Sequence, residues 1–462
     1  MKLRKYFGSW DFYRHVIAVA LPIIIQNGIA NFVSLLDNIM VGQVGTVQMN
    51  GVSIVNQLIF VFNLCIFGAT SGAGIFTAQF HGNSDHDGIR NTFRFKILIG
   101  LLISAVGLSV FCLFGRPLIG LYLTGEGTPE EIANTLEYGW GYLLIMLWGL
   151  PAFAISNAYT GTLRESGETV VPMIASTTAV FVNLVLNWVL IFGHLGIDAM
   201  GVRGAAIATV ISRYVELTIV ACWVHLHSEK MPFIRNAFRT LLIPKPLLKT
   251  IIVKGMPLLL NEALWSTAMA IMNQCYSTRG LDVVAAQNIN SALFNLSSVV
   301  YMAMGNAVGI IIGQMLGAGK TADEVRDTDR KLIVSSVLSC LLFGLITVAV
   351  SGVFPQIYNT TDDVRALATR LICISALFMP FNAYTHAAYF TLRSGGQTWI
   401  TFLFDSCFVW ILCVPLAYCL SRYTMLTILP MYCICHCTDL VKCVLGATMI
   451  KQGKWIQNLT QK

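Results

Sequence analysis

Predominantly apolar stretches of about 20 residues or more recur along the whole chain. They lie near 16–42, 50–80, 93–114, 135–160, 170–193, 202–224, 250–276, 284–316, 330–352, 366–391, 399–420 and 425–450. A helix rising about 1.5 Å per residue crosses a hydrocarbon core of about 30 Å in such a length. The pattern predicts an all-α polytopic membrane protein with twelve transmembrane helices, and it leaves no stretch for a sizeable water-soluble domain. The first span follows a basic, aromatic start (Lys2, Arg4, Lys5, Arg14) without an evident small-residue cleavage site, so it reads as a retained anchor.

Within the spans, polar residues are few and patterned. The first helix carries a stripe at i, i+4, i+7, i+11, made of Asn27, Asn31, Ser34 and Asn38; the seventh carries Glu262, Ser266, Met269 and Asn273 at the same spacing. Unsatisfied polar groups in lipid cost several kcal/mol, so these stripes are expected to face other helices or a wet cavity. Asp37 and Glu262 stand out as acids at membrane depth, where a carboxylate costs at least about 2.5 kcal/mol and commonly marks an ion path. Glu216 and Asp439 each have a base one turn away, Arg213 and Lys442, and read as local ion pairs. Asp405 lacks a sequence-local partner and stays a candidate; His386, one turn beyond Asn382, is either a proton relay or interhelical glue.

The chain also repeats itself. A shift of 235 residues pairs Pro22 with Pro257, Asn38 with Asn273, Gly45 with Gly280, Gly74 with Gly309, Gln79 with Gln314 and Gly82 with Gly317. A shift of 229 then pairs Pro151 with Pro380 and the run from Thr162 to Thr169 with that from Thr391 to Thr398. Two homologous six-helix halves follow, 1–227 and 250–462 joined by a linker at 228–249, and they are parallel repeats related by a pseudo-two-fold axis along the membrane normal. Asp37 aligns with Met272 and Glu262 with Asn27, so neither acid is required by the architecture common to both halves. The small residues Gly305, Gly309, Gly313 and Gly317, echoed by Thr70, Gly74, Ala78 and Gly82, read as helix-packing positions.

Composition agrees with the hydrophobic pattern. Hydrophobic residues make up 56% and charged ones 11%, too little polar surface for a globular domain of this length. Most of the 30 Lys and Arg fall at the termini and in the even connections, leaving only Arg116, Arg203, Arg279, Arg365, Arg370 and Arg422 in the odd ones. Both termini are therefore expected on the cytoplasmic side, and the net charge of +7 reflects orientation in the membrane and not a nucleic-acid partner. Most of the 13 cysteines sit in apolar spans as small hydrophobes, and the alternation of Cys433, Cys435, His436 and Cys437 cannot aim all four at one metal.

Twelve spans in two parallel halves, with the segment Leu36-Asp37-Asn38-Ile39-Met40-Val41-Gly42 closing the first, resemble the multidrug and toxic compound extrusion (MATE) family over essentially the whole chain. Pro22, Glu262, the stretch Asn183 to Gly193, Leu163-Arg164, Leu392-Arg393 and the late Gly-Lys-Trp add to the likeness. The resemblance implies two six-helix bundles that open alternately to either side, expelling organic, often cationic compounds in exchange for Na+ or H+. Asp37 would match the amino-terminal acid, Glu262 the carboxy-terminal one, and Asn183 and Thr209 the polar partners of the first. Asn187 and Asn382 stand where some members carry aspartate, which puts the identity of the coupling ion in doubt. The expected protein is a non-enzymatic, monomeric antiporter of the plasma (inner) membrane, without cofactor and with small organic molecules and lipid as partners. The rival reading is an exporter of lipid-linked or polymeric precursors with the same plan. It calls for a basic central cavity, whereas the only basic residues away from the ends of the spans are Arg213 and Lys442.

Overall fold

The computed structural model describes residues 6–123 and 128–460, nearly all of them helical. Lys2, Arg4, Lys5 and Lys462, used above for topology, lie outside the described residues. In chain order the α-helices are α1 (Trp10–Gly42), α2 (Thr46–Gly82), α3 (His86–Gly120), α4 (Pro129–Met146), α5 (Gly149–Glu165), α6 (Val170–Phe192), α7 (Val202–Leu226), α8 (Lys245–Ser277), α9 (Leu281–Gly317), α10 (Ala322–Val350), α11 (Asp362–Ser394), α12 (Thr398–Phe402), α13 (Val414–Tyr423) and α14 (Ile428–Gln452). The turns Leu403–Cys407 and Val409–Cys413, between α12 and α13, are π-helical.

Among the described residues, ten segments are long and apolar enough to cross a membrane, and the bent pair α4 and α5 makes an eleventh. α8 has 33 residues but carries Lys254, Asn261 and Glu262 and is more polar; with it the segments number twelve, as the apolar pattern predicted. The 48° bend between α4 and α5 has a covalent cause. Pro151 has no N–H to donate to the carbonyl of Leu147, so the ladder opens there.

The repeat is visible in the helices themselves. α1 and α8 both have 33 residues, each with an internal proline (Pro22, Pro257), and α2 and α9 both have 37. The turn between each pair is made by the repeat-equivalent glycines Gly45 (φ 150°) and Gly280 (φ 118°), a backbone region that side chains rarely tolerate.

The residues pack as two compact units. One comprises Met1–Ile24, Ala78–Asp85 and Ile252–Lys462; the other comprises Ile25–Thr77 and His86–Ile251. The first half of α1 and the last residues of α2 pack in the unit that holds most of α8 to α14. Val55, Ile66, Leu143, Leu150 and Ala206 form the dry centre of the second unit. Ile23, Ile312, Leu332, Leu392 and Trp455 form that of the first.

Where helix pairs gain no hydrophobic driving force against lipid, close backbone approach and dispersion hold them together. Gly305 and Gly309 lie against Phe390, and Gly313 against the methyl of Ala78. At the end of this row α2 and α9 cross so tightly that a Cβ on Gly82 would collide with the carbonyl oxygen of Gln314, and one on Gly317 with that of Gln79. These glycines are packing residues, as their spacing suggested.

Candidate cation-coupling site and its counterpart

Three helices of the second unit converge on Asp37. α6 presents Asn183 and Asn187 one turn apart, hence on one face, and both are buried. Asn187 Nδ2 donates to Asp37 Oδ1 at 2.7 Å and lies 3.1 Å from Asn183 Oδ1, while Asn183 Nδ2 lies 3.3 Å from Thr209 Oγ1 on α7. With the Asn183 amide turned over, its nitrogen instead lies 3.0 Å from Asp37 Oδ2, so both amides donate to the carboxylate and the Asn183 oxygen accepts from Thr209 N at 3.3 Å. Tyr142, 4% exposed, closes one side, its hydroxyl donating to Asn56 Oδ1 at 3.3 Å.

Chemically, this is an acid whose hydrogen-bond partners are neutral and can be inverted. An amide offers its NH2 to a charged carboxylate and, turned over, its oxygen to a cation. Asn187 Oδ1 is buried without a hydrogen-bond partner among the described residues, which leaves one amide oxygen free to accept. Carboxylate and amide oxygens together suit a hard cation.

The first unit holds a differently built cluster. Between α12 and α13 the π-helical turn brings the consecutive residues Asp405 and Ser406 to one side chain of α8. Asn261 Nδ2 donates to Asp405 Oδ2 at 2.9 Å, and Ser406 Oγ and N donate to Asn261 Oδ1 at 2.7 and 3.2 Å. Lys442 Nζ, from α14, sits 2.6 Å from Asp405 Oδ1 and 5.3 Å from the centre of the Phe404 ring. Glu262, next to Asn261, is half-buried within electrostatic reach of Arg393 and Asp405.

Several expectations change here. Lys442 pairs with Asp405 and not with Asp439, because helix packing brings α14 against the π-helical turn; Asp439 is 3.4 Å from His436 Nδ1. Asp405 therefore does have a basic partner, 37 residues away. Glu216 has Arg164 as its stronger charged neighbour, ahead of Arg213, whose guanidinium lies 5.1 Å over Phe153. His386 is packed among rings, edge-on to Tyr301 at 5.4 Å and to Phe390 at 5.1 Å, an arrangement that suits glue. Asn382 is half-buried on the same helix. Of the two stripes, Asn27 and Ser266 are half-buried, whereas Asn31, Ser34, Asn38 and Asn273 lie exposed on their units.

Sequence reasoning missed two buried polar contacts. Lys96, 1% exposed, is paired with Glu165 and lies 3.2 Å from Thr162 Oγ1. Asp329, 2% exposed, accepts from Thr391 Oγ1 at 2.5 Å. Thr162 and Thr391 are repeat equivalents, which was the one signal that could have drawn attention to them.

Known proteins place the chain. The MatE family model matches residues 22–189 and again 257–419, more than half of the chain, the two matches opening on the equivalent prolines Pro22 and Pro257. Similar curated proteins include "Probable multidrug resistance protein NorM" of Thermotoga maritima, 23% identical over 96% of this chain and 93% of that protein. "Probable multidrug resistance protein YoeA" of Bacillus subtilis is 25% identical over 90% and 89% of the two chains. Among solved structures, a crystal structure of MATE in complex with MaD3S superposes with a TM-score of 0.83 at 18% identity, covering 98% of both chains. An outward-facing multidrug resistance MATE family transporter of the MOP superfamily gives 0.81, also at 18% and 98% of both. With two matches to the family model and full-length likeness to its folds, the chain belongs to the MATE (multidrug and toxic compound extrusion) family of membrane transporters.

Proposed function

We propose that this transporter is a secondary active antiporter that exports organic, mainly cationic compounds in exchange for Na+ or H+. The observation that carries the reading is Asp37, an acid within a membrane span held by the amides of Asn183 and Asn187 and, among the described residues, not by a base. A cation arriving there would neutralise the carboxylate and take oxygens from amides that turn over. Glu262 is the corresponding acid of the carboxy-terminal lobe, residues 250–462, with Ser266 one turn along α8. Exchange requires that cation and cargo favour opposite-facing states or exclude each other from one cavity, since a ligand shifts such an equilibrium only by its differential affinity. The basic residues of the even connections favour both termini on the cytoplasmic side of the cell membrane. One chain holds both lobes, so a monomer suffices, and exchange across the membrane needs no enzymatic step.

The test is ethidium transport in proteoliposomes, driven first by an imposed Na+ gradient and then by an imposed H+ gradient. Uphill movement under one of them names the coupling ion. No response to either gradient would remove the antiport reading and bring forward export of lipid-linked precursors, which shares the two-lobe plan.

A further inference from the structure

The segment after α14 looks in sequence like an ordinary polar end, yet it is built into the first unit. Trp455 is fully buried, its indole nitrogen donating to Ile450 O at 3.0 Å. Gly395, at the end of α11, meets the carbonyl oxygen of Trp455 so closely that no Cβ would fit, and a Cβ on Gly396 would strike Leu459. Gln397 Nε2 donates to Lys454 O at 3.2 Å, and Asn458 Nδ2 donates to Gly317 O at 3.2 Å, capping α9.

The residue that joins this segment to α2 is Gln79. It is 0% exposed, and both ends of its amide are engaged. Nε2 donates to Ser394 O at 2.9 Å and to Gln457 O at 3.2 Å, while Oε1 accepts from Leu459 N at 2.7 Å. Two of these three bonds go to backbone that belongs to the terminal segment. Gln79 also lies at the crossing where Gly317 meets its carbonyl.

We propose that residues 453–460 are a strap that holds the end of α2 against the ends of α9 and α11, and that releasing Gln79 from it is part of the transport cycle. Ala78–Asp85 belongs to the first unit while Ile25–Thr77 belongs to the second, so α2 passes from one to the other just before Gln79. Any rearrangement that separates the two sequence halves at this end must first free α2 from the strap. The contacts are of a kind that opens as a set, since a buried glutamine that loses one backbone partner leaves donors and acceptors uncompensated. The strap therefore favours the state in which α2 is held against α9 and α11, and its loss shifts the population toward the state in which α2 is released. This rests on the alternating-access reading above for its meaning in transport, although not for its structural part.

The experiment uses the full-length protein, Gln79→Leu, Asn458→Ala and a form lacking residues 453–462. Hydrogen–deuterium exchange is followed by peptide, together with the half-saturating ethidium concentration presented from the strap side. Expected is exchange about tenfold faster in 78–85 and 453–460 for Gln79→Leu, with peptides of α10 and mid-α11 unchanged, since about 1.4 kcal/mol of lost closure is a factor of ten. Half-saturation from that side should fall by a similar factor, because the released state is more populated. Asn458→Ala should give a smaller change in the same direction, and it decides the matter if the deletion does not fold. Exchange that is unchanged, or that rises uniformly through the unit, overturns the strap. If the parent moves no ethidium, the antiport reading has failed and the exchange pattern alone still decides this one.

Discussion

Asp37 and Asp405 are both carboxylates within membrane spans, and the protein treats them in opposite ways. Asp37 receives amide N–H groups from Asn183 and Asn187 and has no base in contact with it among the described residues, whereas Asp405 holds an ammonium, Lys442, at 2.6 Å. An acid with neutral partners has room for a cation from solution. An acid with a tethered cation has already been neutralised, and the pair supports helix packing among α8, the π-helical turn and α14. The acid type alone therefore says little, and the neighbour decides.

The largest effect should come from removing the charge that has no base beside it. Asp37→Asn should lower gradient-driven ethidium transport at least about a hundredfold with thermal unfolding nearly unchanged, since a site with no differential cation affinity cannot drive exchange. Retained coupling would put the two acids on an equal footing. Next is Lys442→Met, which leaves Asp405 buried beside Asn261 without its cation and should cost about 3–5 kcal/mol of stability in detergent. Adding Asp405→Asn should recover most of that loss, and failure to recover would show that Lys442 acts through another partner.

The comparison is sharpened by adding charge where an amide now stands. Asn187→Asp puts a second carboxylate 2.7 Å from the first, a pair that cannot both ionise without a counter-ion. The half-saturating Na+ concentration should fall about tenfold, read from Na+-dependent transport at alkaline pH. His386→Gln is the mildest: among the Tyr301 and Phe390 rings it should change transport by less than about twofold, and a shifted pH profile would restore the proton-relay reading.

Much of this was legible in the sequence, for physical reasons. Span length and apolarity give helices directly, and the offset of 235 residues foretold equal lengths for α1 and α8 and for α2 and α9. Asn183 and Asn187 were linked to Asp37 only through family resemblance, because a hydrogen bond across 150 positions leaves no local trace. The same blindness misassigned Lys442, since a search one turn either way finds Asp439 and cannot find Asp405 on another helix. The π-helical turn that aims Asp405 at Asn261 has no composition signal, and the bonds of Gln79 to Gln457 and Leu459 join positions 378 and 380 apart that meet only after folding.

The crossing of α2 and α9 also bears on ancestry. Gly82 lies against Gln314 and Gly317 against Gln79, and these four residues are two repeat-equivalent pairs. Exchanging one half for the other leaves the contact unchanged, which is the property of an isologous contact about a two-fold axis. A single six-helix polypeptide pairing with its own copy, before duplication joined the halves, would have made this contact twice with one gene. Each modern glycine is thus held in place by backbone that the other half encodes, so drift in either copy is restrained by its sister. Gly82→Ala and Gly317→Ala should then lower the unfolding temperature by similar amounts, and tolerance at only one of them would mean that the halves have since parted ways.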